Sequence, residues 1–142
     1  MAVGTFFGAS PTAAVEDITA SRTLKVDESG TTFMWNVVTG ATATLPAISG
    51  AKGVSYRFIV KTAATSNSYI ITENTASDTN KIVSKIAEAE VDTGTDGLYD
   101  AGHTTITLGT TAVIGDVIEV FCDGVKWFAT GYINADGACV LA

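Results

Sequence analysis

The chain has 142 residues, of which 46% are hydrophobic and 16% are charged, and its formal net charge is −7. This length suits one domain, and this hydrophobic content excludes an intrinsically disordered chain. The acidic balance argues against nucleic acid as a partner, because phosphate backbones repel a negative surface. No apolar run approaches the roughly 18 residues of a membrane span. Residues 1–4 (MAVG) show no secretory signal, and we expect no membrane partner.

Residues 1–21 differ from the remainder, because they are rich in Ala, Gly and Thr and follow neither helical nor strict strand periodicity. We expect them to form an extended N-terminal arm, and residues 22–142 to form a single β-sandwich domain. The alternative is that residues 1–21 form a frayed terminus. That interpretation would leave the adjacent Phe6 and Phe7 in water with no gain in free energy. We therefore predict that Phe6 and Phe7 anchor the arm on a neighbouring subunit.

The remainder of the chain follows the pattern of β-strands. Side chains alternate across a strand, so Phe33 and Trp35 share one face, and the alternate residues of 56–60 (Tyr, Phe, Val) share another. Residues 81–89 also fit a helical stripe, but we favour a strand that leads into a loop. About eight or nine short segments are separated by Gly, Thr, Ser and Asn turns. This spacing predicts an all-β protein, either an antiparallel β-sandwich or a jelly-roll-like barrel.

The strongest local signal lies where residues 123–124 (Asp-Gly) separate two apolar runs. Asp-Gly suits a two-residue type I′ hairpin, in which both turn residues need a positive φ. Such a turn would pair Cys122 with Val125 and would place the apolar set of the two strands in the core. The opposite face would carry Phe121 and Phe128.

The residue types and motifs of the chain give little support for a catalytic function. His103 is the single histidine, and we interpret it as a loop residue rather than a general base. The sequence contains no Gly-x-Ser-x-Gly elbow, no dinucleotide fingerprint and no phosphate loop. Cys122 and Cys139 are interpreted as small buried hydrophobic residues, and a disulfide between them stays open. We therefore predict no catalytic residue, no cofactor and no enzymatic activity.

The sequence contains candidate residues for binding two kinds of small ligand, a calcium ion and a sugar. The acidic segment 90–102 spaces Asp92, Asp96 and Asp100 along a Gly-rich turn, and hard oxygen ligands of this kind suit Ca²⁺. The segment lacks the EF-hand ligand order, so we favour a solvated loop and predict no metal. Aromatic rings could stack on a sugar, but tryptophans on core faces are more often packing residues. The sugar-stacking candidates are Trp35, Trp127, Tyr56, Tyr69 and Tyr132.

The order of the turn and strand signals resembles that of small virion proteins of tailed bacteriophages. The resemblance covers about residues 22–131 and leaves out the arm and the acidic segment. The segments that carry it are 27–33 (DESGTTF), 43–46 (ATLP), 56–60 (YRFIV), 114–119 (IGDVIE) and 123–127 (DGVKW).

The resemblance implies a phage structural protein, and one small domain with a short arm suits a head decoration (cement) protein. Such a protein would bind the major capsid protein on the outside of the mature, expanded head and stabilise the head across capsomer seams. The analogy also implies a homotrimer in the virion. The alternative is a tail fibre or knob module that binds a receptor. For a decoration protein, the resemblance implies that Phe6 and Phe7 of the arm contact the capsid or the next subunit. Deletion of residues 2–20 should then abolish capsid binding and leave the fold intact.

Overall fold

A computed structural model describes residues 13–89 and 97–142. The described residues form twelve short β-strands and two 3₁₀-helices, η1 (Val26–Glu28) and η2 (Ile48–Gly50). The strands are β1 (Val15–Ile18), β2 (Arg22–Thr23), β3 (Thr32–Trp35), β4 (Ala41–Thr44), β5 (Ser55–Val60), β6 (Tyr69–Thr72), β7 (Ile82–Glu88), β8 (Leu98–His103), β9 (Thr105–Leu108), β10 (Val117–Cys122), β11 (Trp127–Ile133) and β12 (Cys139–Leu141).

The strands are arranged in two sheets. The first has seven strands in the order β1-β3-β5-β10-β11-β7-β8, and the second has five in the order β12-β9-β6-β4-β2. The all-β fold class is confirmed, with two sheets as in a β-sandwich. The sheets are mixed rather than antiparallel throughout, because β1, β3 and β5 run parallel, as do β2, β4 and β6. β7 confirms the preference for a strand within residues 81–89.

Parallel pairing arises because the chain changes sheet at most of its connections. β1, β3 and β5 lie in the seven-stranded sheet, whereas β2 and β4, which come between them in the chain, lie in the five-stranded sheet. A chain that crosses over and returns enters its first sheet again in the same direction. The connection from β3 to β4 is tight: Gly40 has φ +75°, and a Cβ there would lie 2.5 Å from the carbonyl oxygen of Ser68. Hydrophobic alternation does not reveal which sheet the next strand joins.

The β10–β11 hairpin forms where the sequence predicts it, but its register is shifted by two residues. Cys122 pairs with Trp127 rather than with Val125. The Asp123 carboxylate accepts hydrogen bonds from the backbone N–H groups of Val125 and Lys126, both at 2.7 Å, and thereby closes a longer loop than a type I′ turn. A shift of two residues keeps each side chain on its predicted face. The apolar set within β10 and β11 therefore still lies in the core, whereas Val125, which was predicted to belong to that set, lies in the loop and is 64% exposed.

The core lies between the sheets and is built on stacked aromatic rings. Trp35 of β3 stacks on Tyr69 of β6 with ring centroids 4.9 Å apart, and this contact joins the two sheets. Trp35 also stacks on Phe58, which stacks on Phe33, so the predicted shared face of β3 is confirmed as a buried face. Side chains of this size stabilise the fold by about 1.5–3 kcal/mol each when fully buried. Both cysteines are buried, as predicted, and both are free, so the disulfide that the sequence left open is not formed.

The C-terminal part of the predicted arm belongs to the folded domain. β1 pairs with β3 at the edge of the seven-stranded sheet, and Ile18 is 1% exposed. Arg22 of β2 then forms ion pairs with carboxylates of β1 and of η1. The boundary predicted after residue 21 is therefore corrected: residues 13–21 are part of the sandwich, and residues 1–12 lie outside the described residues.

The acidic segment 90–102 is also partly a strand rather than a loop. Its last residues form β8, which pairs antiparallel with β7 at the other edge of the seven-stranded sheet. Residues 90–96 lie outside the described residues.

Candidate docking face on the seven-stranded sheet

One face of the seven-stranded sheet points away from the core and carries side chains in ordered rows. The registers of neighbouring strands align one residue from each strand into a row that crosses the sheet. Arg57 and Glu119 form an ion pair within the central row, which is mainly polar and charged. The members of this row are Val15, Thr32, Arg57, Glu119, Thr130, Lys85 and Tyr99.

Apolar rows lie on both sides of the central row. Their aromatic members are well exposed: Phe121 by 47%, Phe128 by 43% and Tyr132 by 58%, while Tyr99 in the central row is 71% exposed. Exposed apolar side chains grouped on one face mark an interaction surface, whereas isolated ones do not. One row contains Ser55, Phe121, Phe128 and Val83, and the other contains Met34, Ile59, Val117, Tyr132 and Ala87.

A depression of about 520 Å³ lies on the β1 side of this face. We call the part of it that is lined by Ala13, Gly30, Ser55, Phe121 and Phe128 the phenylalanine groove. The backbone N–H of Gly30 donates to the carbonyl oxygen of Ser55 at 2.8 Å, and Ser55 pairs with Phe121. Small residues therefore form the floor near β1, and aromatic rings form the far end.

A second depression, of about 300 Å³, lies on the β7–β8 side of the same face. It is lined by Lys85 and Ala87 of β7 and by Tyr99 of β8. Tyr132 of β11 pairs with Ala87 and so adjoins it. We call Lys85, Ala87, Tyr99 and Tyr132 the tyrosine patch. Tyrosine combines a large apolar ring with a hydroxyl that stays wet, a combination typical of protein interfaces.

The outer face carries balanced charges although the chain as a whole is acidic. Arg57 pairs with Glu119, and the Lys61 ammonium donates to the Asp17 carboxylate at 2.8 Å. This hydrogen bond lowers the pKa of the Asp17 carboxyl below its usual value. Lys85 contributes a positive charge beside the tyrosines. A partner that covers this face has to leave these ion pairs hydrogen-bonded, because burying charges costs solvation free energy.

Ser84 and His103 lie together in the core at a spacing typical of a nucleophile and its base. Nδ1 of His103 lies 3.0 Å from the carbonyl oxygen of Thr105, and Nε2 lies 2.7 Å from the Ser84 hydroxyl. A carbonyl can only accept, so Nδ1 carries the proton and Nε2 accepts from Ser84. Ser84 is fully buried and His103 is 2% exposed. A substrate reaches neither side chain in this fold, and His103 is a buried strand residue rather than the predicted loop residue.

Buried carboxylates hold loops in place. Glu73 accepts two backbone N–H bonds from the turn before β7, at 2.8 and 2.7 Å. Asp116 accepts two, at 2.9 Å each, from the segments before β10 and after β11, and Asp78 accepts one from η2. Hydrogen bonds to a charged acceptor are the stronger class. Within residues 13–89 and 97–142, no three His, Cys, Asp or Glu side chains converge as a metal site requires.

The residues singled out from the sequence are distributed as follows. Phe6 and Phe7 lie outside the described residues, as do Asp92 and Asp96 of the calcium candidate. Asp100 lies in β8, where its carboxylate accepts the backbone N–H of Gly102.

The aromatic residues considered for sugar stacking separate into two groups. Trp35, Trp127, Tyr56 and Tyr69 are buried, whereas Tyr132 is exposed on the outer face. The exposure of Phe121 and Phe128 follows from the alternation of the hairpin. Tyr99 was missed because it falls in the segment interpreted as a loop.

Comparison of the chain with models of protein families, with curated proteins and with solved structures finds no match. The resemblance to phage virion proteins therefore rests on the sequence motifs alone. No helix in the described part of the chain is long and apolar enough to cross a membrane. The outer face of the seven-stranded sheet is the feature from which a function can be argued.

Proposed function

We propose that this protein is a decoration (cement) protein of a tailed-bacteriophage capsid, and that it docks on the major capsid protein through the outer face of the seven-stranded sheet. The observation that carries the proposal is the tyrosine patch, where Tyr99 and Tyr132 are exposed beside Lys85 on a sheet. The sequence motifs supply the kind of particle, and the patch supplies the means of docking.

Tyrosine is suited to such a contact for a physical reason. Its ring has few rotatable bonds, so little conformational entropy is lost when it is buried against a partner. Tyr132 projects from β11, which has hydrogen-bonded neighbours on both sides, and Tyr99 projects from the edge strand β8. Aromatic residues held in this way are the ones that most often dominate binding free energy.

The proposed mechanism is stabilisation by selective binding. A protein that binds the expanded lattice and not its precursor stabilises the expanded lattice by mass action. Weak contacts repeated over a symmetric shell multiply through avidity. A homotrimer would present three tyrosine patches at once and would strengthen the attachment further. The protein would then reside on the outer surface of the virion head.

A second candidate function, a tail fibre or knob module that binds a receptor, is favoured by one observation. Tyr99 is 71% exposed and borders a depression that also contains Lys85. An exposed ring beside a hydrogen-bond donor can stack on a sugar of a host glycan. This candidate predicts binding to host cells and none to phage heads.

The test is co-sedimentation of the purified protein with emptied, expanded phage heads through a sucrose gradient. We expect saturable binding by the wild-type protein. The Tyr99→Ser/Tyr132→Ser variant should bind at least about tenfold more weakly, because each lost aromatic anchor costs about 1 kcal/mol or more.

The matched control for this test is Val140→Ser. Val140 is 55% exposed and lies on β12, in the other sheet, so its substitution should leave head binding unchanged. If the wild-type protein bound host cells and not heads, the knob would replace the decoration protein as the proposed function.

A further inference from the structure

The depression on the β1 side of the outer face is bordered by two adjacent rows of the sheet, the phenylalanine groove and the central row. Phe121 and Phe128 face each other as a cross-strand pair in the groove. Glu119 lies two residues before Phe121 on β10, and Thr130 lies two residues after Phe128 on β11. Two residues along a strand span about 6.8 Å. The edge of a flat ligand that lies on the two rings therefore reaches the polar side chains of the central row.

The ion pair in the central row keeps hydrogen-bonding capacity that no described residue uses. Nε and Nη2 of Arg57 both contact the same oxygen of Glu119, Oε1, and the Nε–Oε1 distance is 2.6 Å. Oε2 of Glu119 and Nη1 of Arg57 form no hydrogen bond with the described part of the chain. Both side chains are about half exposed. The pair therefore presents an acceptor and a donor side by side to a ligand.

Three hydroxyl groups border the same space. They belong to Thr32, Ser55 and Thr130, and none of them forms a side-chain hydrogen bond within residues 13–89 and 97–142. A hydroxyl both donates and accepts, so it adapts to a ligand group of either kind. A Cβ built on Gly30 would meet no atom within 4 Å, so a ligand can approach the β1 end without a clash. The depression thus combines aromatic rings with uncommitted polar groups.

The charges of the central row narrow the class of ligand. Glu119 repels a phosphate or a carboxylate, and Arg57 repels an ammonium group. A purely apolar ligand would remove water from the free donor and the free acceptor without replacing it, which costs free energy. A neutral sugar avoids all three costs. Adjacent hydroxyls of a pyranose can accept from a guanidinium and donate to a carboxylate at the same time.

A pyranose also suits the aromatic side of the depression. One face of the sugar ring consists mainly of C–H groups, and the negative face of an aromatic ring attracts their partial positive charge. Small-molecule sites typically combine apolar and aromatic side chains with a few polar groups in a volume of about 300–1,000 Å³. The volume of the depression, about 520 Å³, falls within this range.

We propose that this depression is a binding site for a neutral saccharide, whose ring stacks on Phe121 and Phe128 while its hydroxyls bind Arg57 and Glu119. The site is separate from the tyrosine patch, which lies on the β7–β8 side of the same face. This inference goes beyond capsid decoration and concerns the purified protein alone. Its failure is therefore distinguishable from a failure of the capsid proposal.

The test is saturation-transfer difference NMR of the purified full-length protein with three neutral tetrasaccharides: cellotetraose, maltotetraose and chitotetraose. The three sugars differ in linkage and substituents but all consist of uncharged pyranose rings. We expect saturable binding of at least one of them, with the strongest transfer to the C–H protons of the stacked face. The absence of transfer to all three sugars would overturn the inference.

Two variants test the two halves of the site. Phe121→Ser/Phe128→Ser should bind the sugar at least about tenfold more weakly, because both stacking rings are lost. The two rings are nearly half exposed, so the variant should keep its fold. Glu119→Gln keeps the size of the side chain and removes its charge, and it should weaken binding by at least about threefold, because hydrogen bonds to a charged acceptor are the stronger class. Wild-type affinity in either variant would contradict the proposed contacts.

The matched control is Val125→Ser. Val125 is 64% exposed in the loop between β10 and β11 and does not line the depression, so its substitution should leave sugar binding unchanged. The Tyr99→Ser/Tyr132→Ser variant distinguishes the two sides of the outer face. If that variant lost the sugar while Phe121→Ser/Phe128→Ser kept it, the sugar would bind at the tyrosine patch and the inference would be wrong.

Discussion

His103 is a polar side chain whose protonation state is fixed by its surroundings. Burial lowers its pKa below the usual 6.5, and its two ring nitrogens are already committed to Thr105 and Ser84. A second ring proton would turn Nε2 into a donor, and the Ser84 hydroxyl would have to reorient. The sequence shows a histidine beside a glycine at this position, and nothing local indicates that a strand carries it into the core.

This residue predicts a specific loss of stability in mild acid. The unfolded chain takes up a proton near pH 6.5, whereas the folded chain resists it, so the stabilisation by neutral His103 is complete above about pH 6.5 and is lost as the pH falls below it. Urea unfolding at about pH 7.5 and pH 5.5 should show a larger loss of unfolding free energy for the wild type than for His103→Gln. An equal loss in both proteins would mean that His103 does not titrate in this range.

At the scale of the element, β11 shows which features of a strand the sequence encodes. Alternation predicts its buried and exposed faces because side chains repeat every two residues. Alternation does not encode the register. The Asp123 carboxylate closes a longer loop and moves the pairing by two residues, and a shift of two residues leaves the alternation unchanged. The same limit applies to Gly131. Its neighbour across the sheet is Ile118, and this neighbour can be identified only from the true register and not from alternation.

Gly131 predicts a sharp packing effect. A Cβ at this position would lie 2.5 Å from Cδ1 of Ile118 and 2.6 Å from the carbonyl oxygen of Val117, and the backbone atom cannot move aside cheaply. Gly131→Ala should therefore lower the free energy of unfolding by about 1–3 kcal/mol, as overpacked sites do. Denaturant unfolding measures this change.

The matched control is Gly109→Ala, where the nearest atom to the new Cβ lies 3.7 Å away. That variant should change stability by no more than about 0.5 kcal/mol. Equal effects of the two substitutions would show that the strands spread to accept the methyl group.

At the scale of the molecule, the sites are assembled from strands that are distant in the sequence. Gly30, Ser55 and Phe121 meet in one groove because parallel and antiparallel pairings bring β5 between β3 and β10. The sequence predicts the faces of these strands, but strand order depends on where each crossing connection lands. The phenylalanine groove and the tyrosine patch were therefore outside the reach of sequence reasoning, although the β-sandwich was within it.

The edge position of β1 changes the expected result of shortening the chain. A deletion of residues 2–12 stops before β1, whereas a deletion of residues 2–20 removes β1 together with the buried Ile18. Loss of a buried isoleucine side chain costs about 2–5 kcal/mol. The longer deletion should therefore be less stable than the shorter one by at least about 2 kcal/mol in urea unfolding. Equal stability of the two would mean that β1 contributes nothing to the sandwich.

The alternation of the chain between its two sheets has a mechanical consequence. Among the described strands, β7 to β8 and β10 to β11 are the consecutive pairs that stay in one sheet, and the other consecutive pairs cross. A force that pulls the sheets apart therefore acts on many covalent crossings at once rather than peeling away one hairpin. The two sheets are thus joined by backbone connections at several positions rather than at one. Such a body can carry tension through its backbone while its aromatic core stays closed.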